Sequence, residues 1–322
     1  MKDYSYRSDM GKLIKCYIEE KEMTGFKFEK PARWLKRFDE YYHKKGYRGI
    51  KITRKMAEEF IYENGKEKKS THYLKEKILN NLAEFLKRQG YRVYVPPVKT
   101  KVKRSNFVPY IFSKDELRRF FVAIEKLPPY FQTNRDIVDP VLFRLLYGCG
   151  LRLSEAINLK LKDIDFNSGT VTILGAKNNK DRLVPLAGSL VSRFRNLNDE
   201  LHTYSSDSSY FFISPLGGRL DKSTVYRRYR DYLLMAGISH TKQGPRLHDL
   251  RHSYAVHCFK KWVMGGSDLT NLMPYLAAYM GHSDFRGTQY YLRLTADLYP
   301  DIIKKTEAEL GYLIPEACHE KD

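Results

Sequence analysis

The sequence predicts a mainly α-helical protein with one small antiparallel β-sheet and an N-terminal helical bundle. Amphipathic helical patterns fill residues 8–90, and further helical patterns begin at Ser113. Within the region that follows Ser113, only the stretch at residues 163–186 shows a clear alternation of β-branched residues. A chain of 322 residues exceeds the usual size of a single hydrophobic core, so we expect two domains.

The first domain is predicted to be a helical bundle over residues 1–92. Its amphipathic segments are KLIKCYIEEKEM, PARWLKRFDEYYHKKG and THYLKEKILNNLAEFLKRQG, with prolines and glycines between them. Several aromatic residues stand among the cations of these segments. We predict that most of them belong to the core, with packing against sugar and base edges as the alternative.

A basic linker is predicted at residues 93–106, VYVPPVKTKVKRSN, because two prolines disfavour a helix and the cations repel one another. The formal net charge of the chain is +19. Residues 1–106 hold 28 Lys and Arg against 14 Asp and Glu, whereas residues 107–322 hold 29 against 24. This concentration of positive charge indicates a polyanionic partner, either nucleic acid or an acidic membrane face.

The second domain is predicted over residues 107–322. It opens with FSKDELRRFFVAIEKL, where Ser113 and Glu116 have the spacing of a helix capping box. In DIDFNSGTVTILGAKNNKDRLVPL, alternating residues flank an Asn-Ser-Gly turn and a second polar turn at residues 176–181. This pattern predicts a small antiparallel sheet within a helical domain.

Several classes of protein are excluded by what the sequence lacks. It has no run of about 18 apolar residues, and charges occur throughout its first thirty residues. We therefore expect a cytoplasmic protein without a signal peptide or membrane span. Without a P-loop, carboxylate cluster or CxxC pair, we expect no cofactor, no bound metal and no disulfide framework. The cysteines are widely separated and are predicted to be reduced, mostly buried thiols: Cys16, Cys149, Cys258 and Cys318.

The first motif with chemical potential is LLYGCGLRLSEAINL. Gly148 and Gly150 permit a tight turn immediately before Arg152, which starts a predicted helix. A guanidinium at that position can bind a phosphate through two parallel hydrogen bonds and stays charged. An ion pair between Arg152 and Glu155, three residues later, explains the same residues equally well.

A lysine in the predicted hairpin turn GAKNNKDR forms the second motif. Lys177 could enter a groove from this loop or protonate a leaving oxygen, and Lys180 is a nearly equal candidate. A solvated turn lysine is the ordinary alternative.

The third motif is RLHDLRHSYAVHCF. His248 and Arg251 are three residues apart and therefore project from one side of a helix start, where two cationic groups would favour an anion. The structural alternative is that Asp249 caps the helix and that one histidine is buried. For an isolated motif of this kind, this alternative is favoured over anion binding.

In the fourth motif, YMGHSDFRGTQYYLRL, a helix end at Gly281 precedes His282, and a tyrosine pair follows at Tyr290 and Tyr291. Paired tyrosines are usually packing residues. A phenol, whose ordinary pKa is about 10, attacks poorly unless cations hold the phosphate and a base lies nearby.

Together and in this order, the four motifs resemble those of the tyrosine recombinase, or phage integrase, family. GLRLSEAINL resembles the first family box, HDLRH the second, and G-H-S followed by T-x-x-Y the last, which selects Tyr291 over Tyr290. The resemblance covers residues 107–300 and the basic N-terminal arm. It implies a SAM-like core-DNA-binding domain at residues 1–92 and a catalytic domain with a C-terminal helix and tail at residues 107–322. The implied catalytic residues are Arg152, Lys177, His248, Arg251, His282 and the nucleophile Tyr291, with Glu155 as an accessory acid.

Three departures from the family pattern occur. Asn178 follows the hairpin lysine, where the family often has glycine. His282 lies 31 positions after Arg251, a long spacing for which we predict an insertion between helices at KKWVMGGSDLTNLMP. Phenylalanine and arginine also occur in the stretch after His282, which is usually small and polar.

The resemblance implies a site-specific recombinase of a mobile element or chromosome that cleaves and rejoins DNA through a 3′-phosphotyrosyl link. Its expected partners are double-stranded DNA, three further copies of itself in a DNA-bound tetramer, and an accessory DNA-bending or directionality factor. A type IB topoisomerase and a non-catalytic DNA-binding accessory protein are the alternatives. The candidate ligands of a zinc site would be His248, His252, His257, Cys258 and His282. Such a site is disfavoured because Arg251 would lie among these ligands.

Overall fold

The computed structural model contains helices in both parts of the chain and a three-stranded antiparallel sheet. These elements confirm the predicted fold class. The chain divides into two units, Met1–Asn106 and Phe107–Asp322. The structure describes residues 5–25, 28–63, 65–102, 108–129, 132–175, 181–241, 244–282 and Tyr291. Among these residues, no helix combines the length and apolar character needed to cross a membrane.

The described residues of the first unit contain four helices, and three of them correspond to the predicted amphipathic segments. Its core contains fully buried aromatic residues, among them Tyr17, Phe38 and Tyr42, as the sequence predicts for most of these rings. The remaining helix, Arg54–Tyr62, is short and begins after Thr53, whose side chain accepts a hydrogen bond from the Met56 amide. The helices are α1 Gly11–Met23, α2 Glu29–Lys44, α3 Arg54–Tyr62 and α4 Lys69–Arg88.

In its described residues, 89–102, the segment after α4 has neither helix nor strand, and its first part is hydrogen-bonded to the bundle. The buried Glu76 carboxylate accepts hydrogen bonds from the amides of Lys99 and Thr100 at 3.1 and 2.9 Å. The Thr100 hydroxyl donates a third at 2.7 Å. Because buried carboxylates require such donors, these bonds hold the chain against α4 as far as Thr100.

The second unit combines helices with a small sheet. The predicted capping box is present, since Ser113 and Glu116 exchange side-chain-to-backbone hydrogen bonds at the start of the first helix. The elements are α5 Lys114–Glu125, α6 Arg135–Gly148, α7 Leu153–Ala156, β1 Ile164–Asp165, β2 Thr170–Ile173, β3 Arg182–Pro185, α8 Gly188–Leu201, α9 Lys222–Met235, α10 Asp249–Met264 and α11 Leu269–Met280.

The three strands pair in sequence order, and Ile173 of β2 lies opposite Arg182 of β3. Side chains alternate between the two faces of a strand. In β3, Val184 is buried and Leu183 is exposed, so Arg182 shares the inward face with Val184. The strand therefore directs a charged side chain into the domain and an apolar one to solvent.

The predicted placement of an insertion between helices at KKWVMGGSDLTNLMP was wrong. Most of KKWVMGGSDLTNLMP is helical, since α10 continues to Met264 and α11 begins at Leu269. Asp268 caps α11 by accepting a hydrogen bond from the Thr270 amide. Trp262 and Leu269 pack against the apolar cluster between the two helices. The long spacing is therefore explained by helix length, with only a short turn at residues 265–268.

Candidate active site

Four of the predicted functional residues lie where α7 and α10 begin and where α11 ends: Arg152, His248, Arg251 and His282. Arg251, in the first turn of α10, is 2% exposed. Its guanidinium donates hydrogen bonds to the carbonyls of Gly150 at 2.5 Å and Met280 at 2.7 Å. Because a guanidinium has five N–H donors, these two bonds orient the group without exhausting it.

Arg251 remains a cation at neutral pH despite its burial. Desolvation, followed by repulsion from Arg152, lowers its pKa to about 10, while attraction to Tyr291 opposes this decrease. The repulsion and the attraction together place Arg251 within electrostatic reach of the other candidate arginine, Arg152, and of the candidate nucleophile, Tyr291. By the same attraction, Arg251 favours negative charge on Tyr291.

Arg152 makes the ion pair with Glu155 that the sequence left as an alternative to anion binding. Its guanidinium donates to a Glu155 carboxylate oxygen at 2.6 Å and to the Gly281 carbonyl at 3.1 Å. Burial disfavours the Glu155 anion, but hydrogen bonds from Arg182 and Arg152 outweigh burial and hold its pKa below the ordinary value. The ion pair therefore orients Arg152, whose remaining donors could still bind a phosphate.

Arg182 is a third arginine of this site, and sequence reasoning missed it. Its guanidinium pairs with Glu155 at 2.8 Å and donates from Nε to the Tyr279 carbonyl at 2.8 Å. The signal that could have revealed it is the alternation of β3, which puts Arg182 on the same face as the buried Val184. An arginine on the inward face of a strand requires a buried acceptor.

Tyr291 lies among histidine rings, with 3% of its surface exposed. The ring centroids of His252 and His282 are 5.5 and 5.9 Å from that of Tyr291. His248 is next to His252, with their centroids 4.8 Å apart. The position of His252 beside the nucleophile was also missed, although its spacing of four residues from His248 indicates a shared helix face.

His248 and His252 are both neutral at neutral pH. Desolvation and then the charges of Arg251 and Arg152 lower the pKa of His248 to about 4, although the residue is exposed at the surface. Desolvation and then His248 and Arg251 lower the pKa of His252 to about 3. Neutral imidazoles beside Tyr291 can accept a proton from its phenol.

We expect the second unit to lose stability as the pH falls from about 6.5 to 4. His252 has its ordinary pKa of 6.5 in the unfolded chain but about 3 in the folded protein, so unfolding takes up protons in this range. The free energy of unfolding should therefore decrease, by roughly 1–2 kcal/mol from this residue after allowance for solvent screening.

Urea denaturation at several pH values measures this change. In a Trp34→Phe background, the remaining tryptophan, Trp262, reports on the second unit alone. His252→Gln should show a shallower pH dependence than the parent protein. Equal slopes for the two proteins would contradict the assignment of this proton uptake to His252.

Of the predicted site residues, Lys177 lies outside the described residues. β2 and β3, which flank it in sequence, are described, and β3 begins with Arg182. In the described part of the chain, no group of three or more His, Cys, Asp and Glu is arranged to hold a metal ion.

Comparison with known proteins adds a decisive observation to this geometry. The model of the phage integrase family matches residues 111–297, which is more than half of the chain. The chain belongs to the phage integrase family. The match includes every residue of the predicted catalytic set, and it identifies the chain as a tyrosine recombinase.

Curated relatives match this tyrosine recombinase over most of their lengths. It is 29% identical over 312 residues to y4rB of Sinorhizobium fredii, named as an integrase/recombinase, covering 93% of this chain and 98% of that protein. It is 31% identical over 224 residues to the tyrosine recombinase XerA of Thermococcus onnurineus, covering 68% of this chain and 70% of XerA.

Solved structures share its fold. The recombinase XerH bound to a palindromic difH substrate in a post-cleavage complex has a TM-score of 0.61 and 23% identity, covering 84% of this chain and 77% of XerH. A lambda integrase tetramer bound to a Holliday junction has a TM-score of 0.56 and 16% identity, covering 84% of this chain and 76% of that one.

Proposed function

We propose that this tyrosine recombinase cleaves and rejoins double-stranded DNA at specific sites through a covalent 3′-phosphotyrosyl intermediate. The observation that carries the proposal is that Arg251 and Arg152 donate to two consecutive carbonyls, those of Met280 at 2.7 Å and Gly281 at 3.1 Å. The next residue, His282, has its ring centroid 5.9 Å from that of Tyr291. Two guanidinium groups beside a phenol can hold a phosphate next to a nucleophile. This arrangement fits phosphoryl transfer better than a purely structural role for the motifs.

In the proposed reaction, the Tyr291 oxygen attacks the scissile phosphorus, and the bond from phosphorus to the 5′ oxygen breaks. Arg152 and Arg251 donate to the non-bridging oxygens and offset the charge that develops on them in the transition state. The 5′ hydroxyl of a second DNA strand then attacks the phosphotyrosyl link and regenerates Tyr291. Because the link conserves one phosphate ester bond, the exchange is balanced without nucleotide hydrolysis.

Proton transfer is assigned to residues around the two reacting oxygens. His248, which is neutral at neutral pH and therefore has a lone pair free to accept a proton, assists removal of the Tyr291 proton, and the neighbouring His252 is equally neutral. We assign Lys177 as the acid that protonates the departing 5′ oxygen, and His282 as a hydrogen-bond donor to the phosphate. Glu155 serves this chemistry by orienting Arg152.

The surface beside the site suits a DNA backbone. A cavity of roughly 670 Å³ is lined by His248 and His252 and by the cations Arg230 and Arg246. Exposed Arg230 belongs to α9. Phosphates flanking the scissile position would meet these cations, since phosphate neutralisation dominates affinity for DNA.

The assembly and the division of labour are proposed on similar grounds. The first unit, with its excess of positive charge, would serve as the core-DNA-binding domain, and the second unit as the catalytic domain. Strand exchange between two sites needs four nucleophiles, so we propose a DNA-bound tetramer, as in the lambda integrase structure named above. An accessory DNA-bending or directionality factor stays a prediction.

The test is covalent capture of DNA by the purified protein. DNA carrying sites from the chromosomal surroundings of the gene is labelled at the 5′ end of the cleaved strand and nicked near the cleavage position, so that the short product escapes. A 3′-phosphotyrosyl link then transfers the label to protein on a denaturing gel. We expect an adduct with wild type and Tyr290→Phe, and none with Tyr291→Phe.

Other outcomes would favour the alternatives. Tight binding without an adduct by the wild type would favour a non-catalytic DNA-binding protein. Adduct formation and relaxation of supercoiled plasmids regardless of sequence, without strand exchange between sites, would favour a type IB topoisomerase. An adduct that persists in Tyr291→Phe would overturn the choice of nucleophile.

A further inference from the structure

We infer that Arg182 is a positioning residue, which holds the phosphate-binding Arg152 in place through Glu155; the inference rests on the proposed function. The Glu155 carboxylate lies between the two arginines, and its side chain is 5% exposed. One oxygen accepts from Arg152 Nη1 at 2.6 Å and from Arg182 Nη1 at 3.3 Å. The other accepts from Arg182 Nη2 at 2.8 Å and from the Arg152 amide at 3.0 Å.

Arg182 is placed to support the site rather than to contact DNA. Its side chain is only 9% exposed. Both terminal nitrogens face Glu155, and Nε donates to the Tyr279 carbonyl, so three of its five donors are engaged within the domain. A planar guanidinium that makes two parallel bonds fixes the orientation of a carboxylate as well as its charge.

The same side chain joins three elements that carry candidate catalytic residues. Arg182 begins β3, and Glu155 lies in α7, three residues after Arg152. Tyr279 is near the end of α11, three residues before His282. Without the guanidinium, Glu155 would lose two of its hydrogen bonds and the Tyr279 carbonyl would lose a donor. Arg152 would then be held by a carboxylate that can rotate, and its fork would no longer be fixed toward the phosphate.

The effect of this loss should appear in the chemical step. We expect Arg182→Met to lower the single-turnover cleavage rate of bound DNA by about 100-fold, the consequence of displacing a catalytic group by about 1 Å. Arg182→Lys keeps the charge but lacks the planar fork, so its rate should stay closer to that of Arg182→Met than to wild type. DNA affinity should change little, because Arg182 is nearly buried.

A second substrate separates positioning from folding. If one non-bridging oxygen of the scissile phosphate is replaced by a methyl group, the transition state carries one negative charge less and depends less on Arg152. The deficit of Arg182→Met should therefore shrink at least about tenfold on this methylphosphonate DNA. Arg228→Met is the matched control, because the Arg228 side chain is also mostly buried, at 5% exposed, and pairs with Asp139 of α6 at 2.8 Å. It should affect both substrates alike, in proportion to any loss of folded protein.

A double substitution tests the path through Glu155. If Arg182 acts through this carboxylate, the losses caused by Arg182→Met and Glu155→Gln should overlap. The fold-decrease in cleavage rate of the double variant should then be smaller than the product of the two single-variant decreases. Equal deficits on the two substrates, or independent effects of the two substitutions, would overturn the inference and leave Arg182 a structural residue. Wild-type protein that forms no adduct on either substrate would instead overturn the proposed function.

Discussion

Arg251→Gln should lower the rate of DNA cleavage by about 1,000-fold while the protein still binds its DNA site. Glutamine can donate hydrogen bonds but carries no charge to offset that on the phosphate. Arg251 is nearly buried, so its charge acts on the phosphate through little intervening water, which strengthens the interaction. Arg251→Lys should also be severely impaired, because lysine cannot donate to the Gly150 and Met280 carbonyls from one planar group.

Single-turnover cleavage of bound, labelled DNA measures this effect, and circular dichroism establishes the folded fraction. Arg118→Gln is a suitable control, because it removes one positive charge from an exposed ion pair with Asp115 on α5. It should cleave like wild type. If Arg251→Gln is folded, binds DNA and cleaves within about tenfold of wild type, the assignment of Arg251 to transition-state stabilisation is wrong.

Gly281→Ala should damage both stability and cleavage. Gly281 ends α11 with φ of +67°, in the left-handed region that costs other residues about 1–2 kcal/mol. A Cβ there would lie 2.6 Å from Arg182 Nη1, and Arg182 cannot move away without losing its bonds to Glu155 and the Tyr279 carbonyl. We expect the free energy of unfolding to fall by about 2–4 kcal/mol.

Cleavage should fall with it by about 100-fold, since the Gly281 carbonyl accepts a hydrogen bond from Arg152 and the next residue is His282. Gly266→Ala provides the matched control. Gly266 has φ of +70°, but a Cβ there would meet no atom within 4 Å. It should lose about 1–2 kcal/mol of stability and cleave normally. Urea denaturation and single-turnover cleavage measure both quantities, and equal cleavage by the two variants would contradict the proposed role of the Gly281 turn.

Local sequence signals predicted local structure well. The capping box at Ser113, the turn between β1 and β2 and the helix end at Gly281 each depend on residues within a few positions of one another. The insertion predicted before His282 failed because a length difference was read as a loop. An apolar stretch with two glycines can equally be two long helices joined by a short turn, and packing between α10 and α11 decides between them.

The motif residues themselves could be chosen from the sequence, because arginine, histidine and tyrosine in that order and spacing are unusual outside the family they resemble. Two residues of the site could not. His252 was considered only as a zinc ligand, and its position beside Tyr291 depends on how α10 meets a distant part of the chain. Arg182 lies in a strand whose pattern was read for its apolar members alone.

The sequence by itself determined the fold class, mainly helical with one small sheet, and the positive charge that favours DNA, and it supplied the residues that we propose for phosphoryl transfer. The tertiary structure decided which of those residues meet. Arg251 bonds to carbonyls 101 and 29 positions away, and Arg182 pairs with Glu155 across 27 positions. Helix and strand patterns arise from neighbouring residues, whereas a buried charge is satisfied by whichever acceptor the packed core brings to it.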